Sequence, residues 1–123
     1  MWQMLRIFFV SMIVCICGPA SAQDWSTRPG DTLLSQVETQ DLINGQTLTY
    51  YDDGQSKFSV GGAYSYTYAN SGGTAFGRFE VGEDGKVCIA FANGFARCDR
   101  FVQNRGRLVM LTEKGERFPI RPK

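Results

Sequence analysis

The pattern of apolar and polar positions changes rhythm at Gly45. Downstream, short runs of β-branched and aromatic residues are punctuated by Asp52-Asp53-Gly54, Gly61-Gly62, Asn70-Ser71-Gly72-Gly73, Gly82-Glu83-Asp84-Gly85, Asn93-Gly94, Asn104-Arg105-Gly106 and Glu113-Lys114-Gly115. Most of these breaks recur about every 8–12 residues, the spacing of antiparallel hairpins. The runs predict strands over 46–51, 56–60, 63–69, 74–81, 86–92, 95–102, 107–112 and 116–120. The expected fold is mainly β, a small antiparallel meander forming a barrel or sandwich.

Period two also assigns faces. Tyr64, Tyr66 and Tyr68 share one face of their strand, with Ser65 and Thr67 on the other. Phe79 and Val81 oppose Arg78 and Glu80, and the large Val87, Ile89 and Phe91 oppose the small Cys88 and Ala90. Tyr50 and Tyr51 point to opposite faces, so only one of them can join the tyrosine row.

Upstream of Gly45 the apolar spacing is helical. Leu33, Leu34, Val37 and Leu42-Ile43 follow Asp31-Thr32, which can cap a first turn, and Asn44-Gly45 is a stop signal. The segment is expected as one bent helix or two short ones, the second beginning near Thr39. Residues 23–30 read as an extended arm, with Trp25 as the large apolar residue that pins it to the single β-rich domain of 31–123.

The first residues follow a different logic. Arg6 precedes the apolar run Ile7–Cys17, Gly18-Pro19 breaks it, and Ala20-Ser21-Ala22 ends it before Gln23. A charged start, a short apolar stretch and an Ala-x-Ala end predict a secretory signal peptide over 1–22. The run is too short for the roughly 20 residues of a spanning helix, so no permanent membrane span is expected. The remaining chain is expected in the periplasm or secreted. Val14 and Ile16 precede Cys15 and Cys17 where lipoprotein processing favours a small residue, so both cysteines leave with the signal.

Processing changes the composition. Of 13 basic residues Arg6 is lost, leaving twelve against the 12 acidic ones. A neutral chain is a poor general ligand for nucleic acid, and no nucleic-acid partner is expected. Cys88 and Cys98 remain, and an exported pair reads as one disulfide. A two-residue Asn93-Gly94 turn would set Ile89 opposite Cys98. A three-residue loop, Ala92-Asn93-Gly94, sets Cys88 opposite Cys98 and Ala90 opposite Ala96, with Gly94 in the left-handed region that such a loop needs. The small Cys/Ala face is expected to receive the helix.

Charge is polarised along the chain. Gln23–Ala96 is acidic, whereas the last 27 residues carry eight cations, among them Arg100, Arg105 and Arg107. These arginines are either a solvated strand face neutralised by the acidic part or a contact for an anionic envelope component such as lipid headgroups or acidic glycans.

The chemistry is sparse. The chain has 0 histidines, which removes the commonest general base and most zinc sites. No catalytic residue, metal site or cofactor is expected. Asp52-Asp53-Gly54 and Gly82-Glu83-Asp84-Gly85 are better read as turns than as calcium or acid/base sites, since they lack regular ligand spacing. The glycine doublets lack the strand-to-helix context of a phosphate loop. The row Tyr64, Tyr66, Tyr68 is the foremost candidate ligand surface; it can line a cavity, stack on sugar rings or be core.

Leu42-Ile43-Asn44-Gly45-Gln46-Thr47, the turn Tyr50-Tyr51-Asp52-Asp53-Gly54, and Gly77-Arg78-Phe79-Glu80-Val81 followed by Gly85-Lys86-Val87-Cys88 resemble small exported proteobacterial proteins of unknown function. These share a signal peptide, a short helix and a β-meander, and often have tryptophan where Phe79 stands. The resemblance implies a fold and an export route, but no activity.

The expected function is a non-enzymatic exported module that binds a small hydrophobic ligand or a cell-envelope component. One alternative is a protein partner, with the hairpin tip Phe91–Phe95 inhibiting a periplasmic hydrolase. The other is a carboxylate-dependent hydrolase using Asp52, Asp53, Glu80 or Asp84.

Overall fold

The computed structural model describes residues 25–123, so the expected signal peptide and the first two residues of the arm lie outside the described residues. The described chain is mainly β, as its alternation predicts. It runs β1 (Thr32–Leu33), α1 (Gln36–Ile43), β2 (Thr47–Thr49), β3 (Gln55–Phe58), β4 (Ala63–Thr67), β5 (Thr74–Val81), β6 (Val87–Phe91), β7 (Ala96–Asn104), β8 (Arg107–Thr112) and β9 (Arg117–Pro119).

Strands β2 to β9 pair with their sequence neighbours, all antiparallel, while β1 pairs with β7. The sheet curls into a half-barrel whose two edges meet at one bridge, Tyr50 to Ile120, supported by the Arg121 amide donating to the Thr49 carbonyl at 2.8 Å. No helix among the described residues is long and apolar enough to cross a membrane.

The inner face holds Leu48, Tyr50, Phe58, Tyr64, Val87, Ile89, Phe101 and Met110, all buried. Phe79 and Val81 pack on this core from β5, while Arg78 and Glu80 face outward, as the alternation predicts. Side chains fill the interior. Phe58, for example, lies 5.1 Å from both Tyr64 and Phe79 between ring centroids.

The disulfide register follows the derivation. Cys88 faces Cys98, Ala90 faces Ala96, and Gly94 has φ +87°. The two cysteines are bonded, with 4.0 Å between their Cα atoms.

Two expectations upstream are corrected. Asp31-Thr32 does not cap the helix. Asp31 is taken by Arg117 and Asn104, and the Leu34 amide donates to the Phe101 carbonyl at 3.0 Å, so Thr32–Leu33 is drawn onto β7 as a strand. Ser35 is the cap instead. Its hydroxyl accepts from the Glu38 amide at 3.2 Å, and the Glu38 carboxylate accepts from the Ser35 amide at 3.0 Å, a capping box written as Ser35-x-x-Glu38. One eight-residue helix results, closed by Asn44. It buries Thr39 and Ile43 and leaves Val37 in solvent.

The helix does not lie on the small Cys/Ala face either. Ile43 is part of the inner core with Val87 and Ile89, and Gln36 donates to the Val81 carbonyl at 3.1 Å, so α1 plugs one end of the curl. Cys88 and Ala90 are exposed on the outside. A helix with Ile43 to bury goes to the side where the large residues are, because burial of apolar area decides the match.

On the outer face a second, smaller core forms. Val102, Val109 and Leu111 are covered by Trp25, which fastens the arm as expected. Arg117 donates to the Ser26 carbonyl and to Asp31, tying the arm to β9.

Candidate functional site

The meander gives the half-barrel two different ends. The helix plugs the end where the 59–62, 82–85 and 105–106 turns lie. The other end carries the 50–54, 68–73, 92–95 and 113–116 turns, and the aromatic side chains climb toward it.

The tyrosine row of β4 is graded along this axis. Tyr64 is 2% exposed and belongs to the core, Tyr66 is half-buried, and Tyr68 is 54% exposed at the rim. Tyr66 meets Tyr68 edge-on at 4.9 Å and lies 6.3 Å from Tyr50, which meets Phe118 at 6.5 Å. Tyr50 thus joins the row, and Tyr51 turns outward under Arg121. Phe91 of β6 approaches Tyr64 at 5.8 Å, and Phe95, before β7, lies 6.0 Å from Phe91.

Beneath this rim runs a polar chain. The Ser56 hydroxyl lies 3.0 Å from both the Tyr50 and Tyr64 hydroxyls, Arg97 Nη2 donates to the Tyr64 oxygen at 3.4 Å, and Tyr50 donates to Met110 Sδ at 3.3 Å. The Met110 thioether only accepts and so takes the single Tyr50 proton, which fixes the direction back along the chain: Ser56 donates to Tyr50, Tyr64 to Ser56, and Arg97 to Tyr64. Burial pushes the Tyr50 and Tyr64 phenols up, which keeps them neutral donors.

Arg97 is the hub. Its Nε stands 3.3 Å from Asp99 Oδ2 and its guanidinium lies over the Phe91 ring at 5.7 Å. The Asp99 side chain is only 2% exposed. Burial, opposed by Arg97 and reinforced by Glu113, pushes its carboxyl up to about 6. Arg97 Nε and Asp99 Oδ1 are both buried without a hydrogen-bond partner among the described residues. Arg97 lies where two depressions adjoin. One is a notch of about 70 Å³ with Tyr50, Asp52, Tyr66 and Phe118, and the other a groove of about 360 Å³ with Phe95, Asp99, Glu113 and Phe118. Neither Arg97 nor Asp99 stands out as a site residue in sequence. The disulfide was the available signal: once Cys98 faces outward, its neighbours Arg97 and Asp99 must face in.

The arginine candidates separate. Arg100 lies over Trp25 at 5.5 Å and pairs with Asp84 at 3.1 Å, on the outer face. Arg105 lies in the β7–β8 turn and Arg107 opens β8, both exposed. The acidic part of the chain pairs with three of the eight cations of the basic end, through Arg100–Asp84, Arg117–Asp31 and Arg121–Asp53. The carboxylates weighed for hydrolysis do not converge. Asp52 and Asp53 sit at the aromatic end, Glu80 on the outer face, and Asp84 in the 82–85 turn bound to Lys86 and Arg100.

These features define a class: a disulfide-bonded, curled antiparallel meander with a filled interior and an aromatic end built around a buried Arg–Asp pair. No protein-family model, curated protein or solved structure matches the chain.

Proposed function

We propose that the protein is a non-catalytic exported module that binds a cell-envelope component through its aromatic end. The component that fits best is a glycan. A sugar presents an apolar ring face and adjacent hydroxyls. Tyr66, Tyr68 and Phe118 supply surfaces for the ring face, and the hydroxyls can donate to Asp99 and accept from Arg97. The observation that carries this reading is Asp99 Oδ1, buried with no hydrogen-bond partner among the described residues beside the Arg97–Asp99 ion pair. Such groups are costly to bury unless something completes them. The filled interior argues against an enclosed small-ligand carrier, so binding is at the rim.

The test is ¹H–¹⁵N NMR during titration with oligosaccharides cut from an envelope. Movement of the Arg97 Nε–H signal together with the Tyr66 and Tyr68 amides supports the reading, and a Y66S/Y68S variant should abolish it. Unmoved spectra across the whole glycan set would reject it.

Phe95, 60% exposed beside the disulfide-pinned hairpin, favours a second reading in which that tip enters the cleft of a partner hydrolase. A tight complex lost on F95S would select it.

A further inference from the structure

Between the two edges of the curl the described residues form one β-bridge, Tyr50 to Ile120. Toward the helix-plugged end β9 has ended, and residues 121–123 follow β2 through the Arg121 amide on the Thr49 carbonyl and the Lys123 ammonium on Gln46, without forming a further strand. No ladder joins β2 to β8 among the described residues. The gap is a groove of about 500 Å³ whose wall includes Leu42, Leu48, Leu108 and Ile120. That volume is in the range of pockets for small organic ligands, roughly 300–1,000 Å³.

The charge around the groove has one sign. Arg107, Arg121 and Lys123 line it, and no acidic residue does. Arg107 is exposed and has no partner among the described residues. Arg121 pairs with Asp53 at 2.7 Å, and the Lys123 ammonium donates to Gln46. Both contacts are at the surface: the Asp53 pair is weak there and exchanges readily for another anion, and Gln46 is an uncharged amide that leaves the Lys123 charge unneutralised. Thr47 and Thr49 also line the groove.

An apolar trough bordered by cations matches one ligand chemistry: a hydrocarbon chain ending in an anion. We infer that the open seam between β2 and β8 is a second binding site, independent of the aromatic end, for a single-chain carboxylate amphiphile of the fatty-acid type. The chain lies along Leu42, Leu48, Leu108 and Ile120, and the carboxylate meets Arg107 with Arg121 or Lys123 beside it. Occupancy fills the gap between β2 and β8, so the ligand acts as a clasp and raises the melting temperature.

The test is calorimetric titration of the oxidised protein with laurate, with thermal melts in parallel. We expect one laurate per chain, at least tenfold weaker binding for dodecanol, and weakening of at least tenfold in R107E, a surface change that leaves the fold intact. T47W, which fills the groove, should abolish binding; if T47W melts early, R107E and the dodecanol comparison decide. Y66S/Y68S should bind laurate as the parent does. No saturable binding below the aggregation concentration of laurate overturns the inference. So does equal affinity for dodecanol, or indifference to R107E. Binding to phosphatidylglycerol vesicles without laurate uptake also overturns it, assigning the cations to a bilayer surface.

Discussion

Asp31 holds Arg117 with both carboxylate oxygens, at 2.7 Å through Oδ2 and 3.0 Å through Oδ1. Oδ1 also accepts from Asn104 at 2.7 Å and Oδ2 from the Arg28 amide at 2.7 Å, so one carboxylate joins the arm, β7 and β9. The hydrogen bond from Arg117 leads in holding its carboxyl well below the ordinary range. Asp31→Ala should destabilise by about 2–4 kcal/mol, because it strips a nearly buried guanidinium of its partner. The contribution is complete above the ordinary carboxylate value and is lost as pH falls through the lowered one. Urea titrations should therefore show the full gap between parent and D31N at pH 7 and a shrinking gap below pH ~4.

Asp99 works in the opposite sense. Its carboxyl is raised from 3.8 to about 6 by burial, with Glu113 adding to the rise and Arg97 opposing it. Between those values the folded chain holds more proton than the unfolded chain. Stability from this group therefore falls as pH rises through that window, by on the order of 2–3 kcal/mol, and is level above it. D99N should remove this slope between about pH 4 and 6 while leaving the Asp31 loss below it. A D99N profile that keeps the same slope would assign it to another group.

How much of this was legible in the sequence depended on range. The faces of β4, β5 and β6 and the three-residue loop around Gly94 follow from period two and one local geometric constraint, and they hold. β1 did not read as a strand because Thr32–Leu33 is held by Val102 and Gln103 of β7, distant partners that no local pattern announces. Helical spacing at Leu33 and Leu34 was genuine as a pattern, but pairing with β7 took those residues first. At the site, the aromatic row was visible, yet its grading from core Tyr64 to rim Tyr68 depends on where the curl ends. The charged pair Arg97–Asp99 was obscured because strands normally turn charge outward. The seam groove arises only from the curl of the whole sheet.

Gly85 measures how closely the turn after β5 approaches the start of the helix. It has φ +83°, and a Cβ there would lie 2.3 Å from the Leu34 carbonyl oxygen. Gly106 has φ +77° with nothing within 4 Å. Gly106→Ala therefore carries backbone strain alone, about 1 kcal/mol, whereas Gly85→Ala adds the collision and should cost at least about 2–3 kcal/mol. Equal denaturation midpoints for the two variants would remove the close approach from the account.

The disulfide staples a hairpin that is already correctly registered. Ala90 still faces Ala96 without it, and both cysteines lie on the outer face. Reduction or C88S/C98S should lower stability by about 2–3 kcal/mol through the unfolded chain, with the fold retained. Thermal melts with and without reductant check the magnitude, and matching circular dichroism spectra check the fold.

The tyrosine row can be divided by function because its members differ in depth. Tyr64 sits in the core and its hydroxyl both receives from Arg97 and lies 3.0 Å from Ser56. Tyr64→Phe leaves the ring packing but breaks the polar chain, leaving Ser56 and Arg97 each short of a partner, and should cost about 1–3 kcal/mol. Tyr68 is 54% exposed and meets the Tyr66 ring edge-on. Tyr68→Ser should change stability by less than about 0.5 kcal/mol, as surface substitutions do. Its effect should fall on binding at the aromatic end. Denaturation and binding measured on both variants separate the roles: Y64F shifts the unfolding midpoint, whereas Y68S leaves it in place and weakens the complex. If Y68S shifted the midpoint as far as Y64F, the rim would be part of the core and the binding surface would have to lie elsewhere.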